Sequence, residues 1–376
     1  MLLSNPFIFD ARVRKEAKAL TEAGHEVAVI VWDRKGDYLE EEIVEDIILI
    51  RIHNKGLMGV LPNDLFRNPI WWRLAYRVGL RLHRSGRFQF DIVHCHDLDT
   101  LQIGVWLKKK LGVPLIYDAH EIFGYMIARD MPKIIVKAAF LIEKKLIQYV
   151  DHIITVNEHL ECYFRSICNK CVSIIMNCKD LIWDKYVPPH NDMFTLCYIG
   201  VLHKSRMFPE IVDIIGNMPK IKCIIAGKKE NLYVKVKDRC KKYNNIKFLG
   251  TIPLKEVIPK TIGADATLCM INPNDFNNRI GVANKQFEAM VCGRPIVCTR
   301  GTYSGDMTKR LECGITTGYT ANSLIDGIIT LRDNPQLCEQ YGRNALKAAK
   351  TKFNWGNEKQ KLIELYMKID NDKQKQ

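Results

Sequence analysis

No run of apolar residues in this chain approaches the ~20 needed to cross a bilayer, which excludes a spanning helix of the usual kind. The opening MLLSNPF is broken by Pro6 and soon by Asp10, before an apolar core of signal-peptide length can build, so a soluble, cytoplasmic protein is expected. Closely spaced metal ligands are scarce as well. Only Cys168 and Cys171 stand at metal-like spacing. No second close pair of cysteines or histidines completes a tetrahedron with them, and no bound metal is expected. The 13 cysteines are odd in number and sit in apolar runs such as IKCIIAG and PIVCT. That suits a reducing compartment and small core side chains rather than a disulfide framework. The chain shows no short repeat and no motif for reading DNA or RNA, so nucleic acid is not an expected partner.

What is present is apolar material and positive charge. With 376 residues, 47% of them hydrophobic, the chain is too long for one ordinary core and rich enough to fill two. A formal net charge of +14 calls for anionic company, and phosphate groups or an anionic membrane surface fit best, because the basic residues are spread along the chain. Apolar strand-like runs alternate with amphipathic stretches throughout, the pattern of parallel sheets covered by helices on both faces, so the class is α/β. The first half carries EVAVIVW, DIILIRI, FDIVHCH, PLIYDAH, HIITVN and VSIIMN; the second carries FTLCYIGVL, IKCIIAG, IKFLGTI, ATLCMIN, PIVCT and GITTG. DKYVPPHND lies between them as an expected linker. The expected organisation is an N-terminal Rossmann-like domain over 1–184, a C-terminal one over 185–354, and a helix over 355–376 that packs back on the first domain and ends in a frayed tail.

In open parallel sheets ligands bind beyond the carboxyl ends of strands, so polar residues just after the strand runs carry the most information. His96 and Asp97 follow one run, His120 and Glu121 another, and Asn157, Asn177, Lys204 and Arg206 follow others. The segment NRIGVANKQFEAMVCGRPIV reads as a helix from Asn284 to Cys292, stopped by Gly293 in a left-handed conformation before a buried strand. Lys285 and Glu288, three residues apart, share a helix face near its positive end, where a lysine favours a diphosphate and a carboxylate can accept sugar hydroxyls. A plain salt bridge between the two is the competing reading. His120 and Glu121 have a structural alternative as helix-capping residues, and so do Asp10 and Arg12 at the start of the first helix. The stretch NPIWWRLAYRVGLRLHRSGR sets Trp71 and Trp72 beside five arginines; it is read either as a helix packed on the N-terminal domain or as a docking surface for anionic membrane.

Together DARVRKEAKALTEAGHEV, FDIVHCHDLDTL, PLIYDAHEIF and NKQFEAMVCGRPIV resemble, in order, the segments of glycosyltransferase family 4 and the group 1 glycosyltransferases of the GT-B fold. The resemblance implies two doubly wound domains facing across a cleft, a nucleotide-diphosphate-sugar donor held mostly by the C-terminal domain, and a glycan or lipid-linked acceptor on the N-terminal one. It also implies retention of configuration without a metal or other cofactor, and work in the cytoplasm at the inner membrane surface. By the same resemblance Glu288 binds the nucleotide ribose, Lys285 and Arg206, with Lys204, serve the diphosphate, and Asn284 opens the donor helix. Gly200 lets the backbone pass close to the donor, and His120 stands near the reacting sugar as the catalytic candidate. Asp10, Arg12, His96, Asp97 and Glu121 fall on the acceptor side. Three positions depart from the pattern: Ile280 replaces the earlier glutamate of a pair, Val201 replaces an arginine, and only MLLSNPF precedes Asp10, so a truncated first strand at a sheet edge is expected. These departures keep open an inactive nucleotide-sugar-binding subunit of a glycan assembly, and the fold keeps open a sugar-nucleotide 2-epimerase.

Overall fold

The β-branched and aliphatic runs fold as strands, most of them buried on both faces because helices cover the sheet. The computed structural model describes residues 1–8, 10–128, 131–229 and 232–374. The chain divides into two units, Met1–Met176 with the stretch that begins at Lys359, and Asn177–Glu358.

The first unit holds, among the described residues, an eight-stranded sheet: β1 (Leu2–Leu3), β2 (Val27–Asp33), β3 (Glu41–Val44), β4 (Ile47–His53), β5 (Val93–His96), β6 (Leu115–Ala119), β7 (His152–Thr155) and β8 (Cys171–Ile174). Their order is β3-β4-β2-β1-β5-β6-β7-β8, parallel except for the β3–β4 pair. The first strand is short, yet it is not an edge. Leu2 and Leu3 pair with Ile30 and Val31 of β2, and Leu2 also pairs with Cys95 of β5, so two residues occupy the middle of the sheet. The Leu98–Leu111 helix lies close on β5 and β6 because Gly104 has no Cβ; one there would stand 2.6 Å from a methyl of Leu115.

The Trp71 and Trp72 segment forms the Asp64–Arg84 helix, and its aromatic side belongs to the core. Trp71 is fully buried and stacks on Trp32 at 5.1 Å between centroids, and the Trp72 ring N–H donates to the Asp99 carbonyl. Arg73, Arg77, Arg81 and Arg84 point outward instead. The membrane-docking reading of this segment is therefore overturned, because the aromatic groups it needs are spent on packing. The helix Trp355–Gln374 runs into this unit, where the Tyr366 hydroxyl lies 2.8 Å from Nδ1 of His94 and Lys359 pairs with Glu22.

The second unit holds β9 (Phe194–Ile199), β10 (Ile221–Ala226), β11 (Ile246–Gly250), β12 (Ala266–Cys269), β13 (Ile296–Thr299) and β14 (Gly314–Thr317), all parallel, in the order β11-β10-β9-β12-β13-β14. The segment read as a linker is fastened to this unit: the buried Arg294 guanidinium donates to the Val187 carbonyl at 2.8 Å and to the Ile262 carbonyl at 3.0 and 2.7 Å. The chain passes between units before it, after Met176, because the Ile175 carbonyl is still held by Arg12 at 2.9 Å. Among the described residues no helix is long and apolar enough to cross a membrane.

Candidate functional site

In the second unit the winding of the sheet reverses between β9 and β12, the place where open α/β sheets bind ligands. Gly200 follows β9 directly. A Cβ on it would stand 2.9 Å from the Lys285 ammonium, so the glycine leaves that cation its place. Lys285 lies in the first turn of the Asn284–Val291 helix, its ammonium 4.3 Å from the centre of the Tyr198 ring. Such a contact holds a cation without neutralising it. Lys204 and Arg206 belong to a single turn after β9 that Tyr319 secures: its hydroxyl donates to the Lys204 carbonyl and accepts from the Met207 N–H, both at 2.8 Å. Lys204 itself is exposed, whereas Nη1 of Arg206 is buried and has no hydrogen-bond partner among the described residues. The two inner cations converge electrostatically at the end of β12. The Cys269 thiol there has a lowered pKa, first through its hydrogen bond with Cys298 and further through Lys285 and Arg206.

One helical turn beyond Lys285, Glu288 places Oε1 3.2 Å from the Lys179 ammonium, while Asn284 accepts a hydrogen bond from Asn177 at 3.0 Å. Among the described residues no ion pair joins Lys285 to Glu288, which removes the plain salt-bridge reading of that pair. Gly293 closes the helix with φ 62°, as its place before Arg294 and Pro295 suggested.

In the first unit the polar groups gather at the carboxyl ends of β5 and β6. Residues two apart on a strand share a face, so His94 and His96 stand beside Asp118 and His120. Arg12 and Glu16, one turn apart on the Ala11–Glu22 helix, reach the same place. The Arg12 guanidinium donates to both oxygens of Asp118 at 2.9 and 3.0 Å and lies 3.0 Å from Glu16. His120 sits between two carboxylates, Nδ1 3.4 Å from Asp97 and Nε2 3.4 Å from Asp118. Burial alone would lower its pKa, but Asp97 and Asp118 raise it to about 9, so His120 is an imidazolium at neutral pH. His96 goes the other way, well below its ordinary value, because burial and the neighbouring His94 disfavour a charge.

Glu16, His94, His96 and Asp118 bring ligand atoms within 4.8 Å of one another, the one such group among the described residues able to hold a metal. Arg12 already serves both carboxylates of that group. A permanent guanidinium thus supplies the positive charge that a divalent ion would bring.

Two family models match the chain. Glycosyltransferase Family 4 covers residues 11–181 and Glycosyl transferases group 1 covers 194–334, which together take in most of the sequence. The chain belongs to the GT-B glycosyltransferases. An uncharacterised glycosyltransferase of Methanocaldococcus jannaschii is 28% identical over 193 residues, a match spanning 46% of this chain and 44% of that protein, less than half the length of the curated relative. Among solved structures, sucrose-phosphate synthase from Thermosynechococcus elongatus superposes with a TM-score of 0.81 at 16% identity, over 99% of this chain and 98% of that one. HepE of Anabaena, in complex with UDP-glucose, gives 0.71 at 15% identity over 98% of each chain. At such identities the likeness is one of fold.

Several positions in this glycosyltransferase differ from their expected roles. Arg12 and His96, taken as acceptor-side residues, are 5% and 0% exposed and serve the buried cluster instead. Asp10 caps the first helix, accepting from the Val13 N–H at 3.1 Å, and Asn157 caps another, accepting from Leu160 at 3.0 Å. Asp97 accepts from the His120 backbone N–H at 3.3 Å besides its contact with the ring, and Glu121 lies exposed just after His120. Ile280 is buried in its short helix and Val201 is exposed. Sequence reasoning missed Lys179, Glu16 and Asp118. The last two were signalled by charge on the inward face of an otherwise apolar helix and strand; Lys179 carried no signal, since a lone lysine in a loop is ordinary.

Proposed function

We propose that the chain is a retaining transferase that takes a sugar from a nucleotide-diphosphate-sugar held by the C-terminal unit and passes it to a glycan or lipid-linked acceptor. The observation that carries this is Arg206: a guanidinium with a buried nitrogen that has no hydrogen-bond partner among the described residues, in the turn after β9 at the reversal point of the sheet, acting with Lys285 on the Cys269 thiol. A buried donor without an acceptor is costly, and a phosphate oxygen supplies what it lacks. Glu288 takes the ribose hydroxyls, with Lys179 holding its carboxylate in place. The complex of HepE with UDP-glucose supports a donor of the same chemical kind here.

In this reading the departing diphosphate gains negative charge as the anomeric bond breaks, and Lys285, Arg206 and the N–H groups at the start of the Asn284–Val291 helix stabilise it. The leaving phosphate takes the acceptor's proton on the same face, so no covalent nucleophile is required and no metal is called for. His120, its ring nitrogens each 3.4 Å from a carboxylate of Asp97 or Asp118, is the catalytic candidate of the first unit. Work in polysaccharide assembly at the cytoplasmic face of a membrane follows from a lipid-linked acceptor and from the net charge of +14.

The test is incubation with a panel of nucleotide-sugars, with and without membrane lipid extract, following nucleotide release. Release stimulated by the extract and lost in Lys285→Ala and Arg206→Ala supports the reading. Binding without release would favour the inactive subunit that Ile280 and Val201 keep open, and an epimerised donor would favour the epimerase.

A further inference from the structure

The helix Lys133–Leu146 is amphipathic in an unusual sense. Ala139, Glu143 and Leu146 form its inward face, and its one acidic residue is on that side: Glu143 is buried and accepts hydrogen bonds from the hydroxyls of Tyr117 and Tyr163, both at 2.8 Å. The outward face is apolar and basic together. Ile134 is 75% exposed, Leu141 69% and Ile142 45%, and Met131, just before the helix, is exposed too. Lys133, Lys137, Lys144 and Lys145 stand exposed around them, and none is in an ion pair among the described residues. Beside this helix the short Phe123–Ile127 helix is held by Gly124 against the Phe140 ring and adds an exposed Met126.

We infer that this outward face docks on an anionic lipid surface, Ile134, Leu141 and Ile142 entering the interface while the four lysines meet the headgroups. An apolar stripe flanked by lysines that pair with no acid among the described residues is what an interfacial helix requires, and a water-facing helix gains nothing from it. A second exposed apolar group, Leu57, Val60, Leu65 and Phe66, lacks that complement, because its charges are balanced: Asp64 pairs with Arg34 and Arg67, and Lys55 with Glu40. The inference rests on the reading of the acceptor as membrane-borne, and it assigns the contact to a surface other than the Trp71 helix.

The experiment is co-sedimentation of the full chain with phosphatidylcholine vesicles, with and without phosphatidylglycerol, at low and at physiological salt. Binding is expected only with the acidic lipid and should weaken with salt, each lysine contributing roughly fivefold. The double variant Ile134→Ser with Leu141→Ser should lose at least tenfold in partitioning, and Lys137→Glu with Lys144→Glu should lose more. Leu65→Ser with Phe66→Ser should bind like the parent. Absence of pelleting with acidic vesicles at low salt would overturn the inference. So would outward-face variants at 134 and 141 that bind undiminished, or light scattering that shows a dimer abolished by them. Calorimetry of nucleotide-sugar binding separates the two readings: it should be unchanged in the 134 and 141 variants, so lost lipid binding with intact donor binding leaves the proposed transfer standing.

Discussion

Replacing Arg12 with Met removes the cation around which the buried cluster of the first unit is built. The guanidinium gives up its bonds to Asp118 at 2.9 and 3.0 Å and to the Ile175 carbonyl at 2.9 Å, together with the 3.0 Å contact to Glu16. Asp118 and Glu16 are fully buried, so neither carboxylate can recover water. Removing one partner from a buried pair costs about 3–5 kcal/mol. Part of that is offset, because burial first, and Asp118 further, already raises Glu16 to about 8 against the opposing Arg12, and it can stay protonated at neutral pH. The net loss should therefore lie near the lower bound, about 3 kcal/mol. At roughly 2–4 °C per kcal/mol for a unit of this size, its midpoint should fall by about 6–12 °C. Urea and thermal unfolding followed by tryptophan fluorescence report it, the stacked Trp32 and Trp71 belonging to this unit. A triple variant, Arg12→Met with Glu16→Leu and Asp118→Asn, should regain most of the loss, since a well-packed apolar substitute is often no worse than the buried ions. A loss below about 1 kcal/mol in Arg12→Met, the range of an exposed pair, would refute the reasoning.

Other outcomes follow from the same geometry. His120 is raised from 6.5 to about 9, so its contribution to stability is full below pH 6.5 and disappears as pH climbs through 9; the stability difference between the parent and His120→Asn should shrink over that window. Gly200→Ala places a Cβ 2.9 Å from the Lys285 ammonium and displaces it; loss of one charge-assisted bond, about 1.5–3 kcal/mol, should weaken nucleotide-sugar binding by roughly 10–100-fold by calorimetry. Gly104→Ala pushes the Leu98–Leu111 helix off Leu115, and urea titration should show a cost of about 1–3 kcal/mol with donor binding unchanged.

The α/β class and nearly every strand were legible because buried parallel strands are written as continuous apolar runs, β2 with its VAVIVWD being the plainest. The truncated first strand was expected at a sheet edge, but β1 owes its central place to pairing with β2 and β5, which its two residues do not signal. β3, EEIV, escaped because it is an edge strand whose alternation is too brief to register. In the proposed donor region the helix stop at Gly293 and the shared face of Lys285 and Glu288 could be read from spacing. Their partners could not, since Tyr198, Lys179 and Asn177 come from distant parts of the chain. The same holds for Arg12: at the start of a helix it reads as a surface residue, and only its i,i+4 relation to Glu16 pointed inward.

The most direct test of the proposed donor site is calorimetry of the full chain against a panel of nucleotide-sugars, repeated with Lys285→Ala, Arg206→Ala and Glu288→Gln. The account predicts that a nucleotide-sugar binds the parent and that each variant weakens it by roughly tenfold or more, a lost charge-assisted hydrogen bond in each case. Affinity unchanged in all three, for every donor that binds the parent, would contradict it.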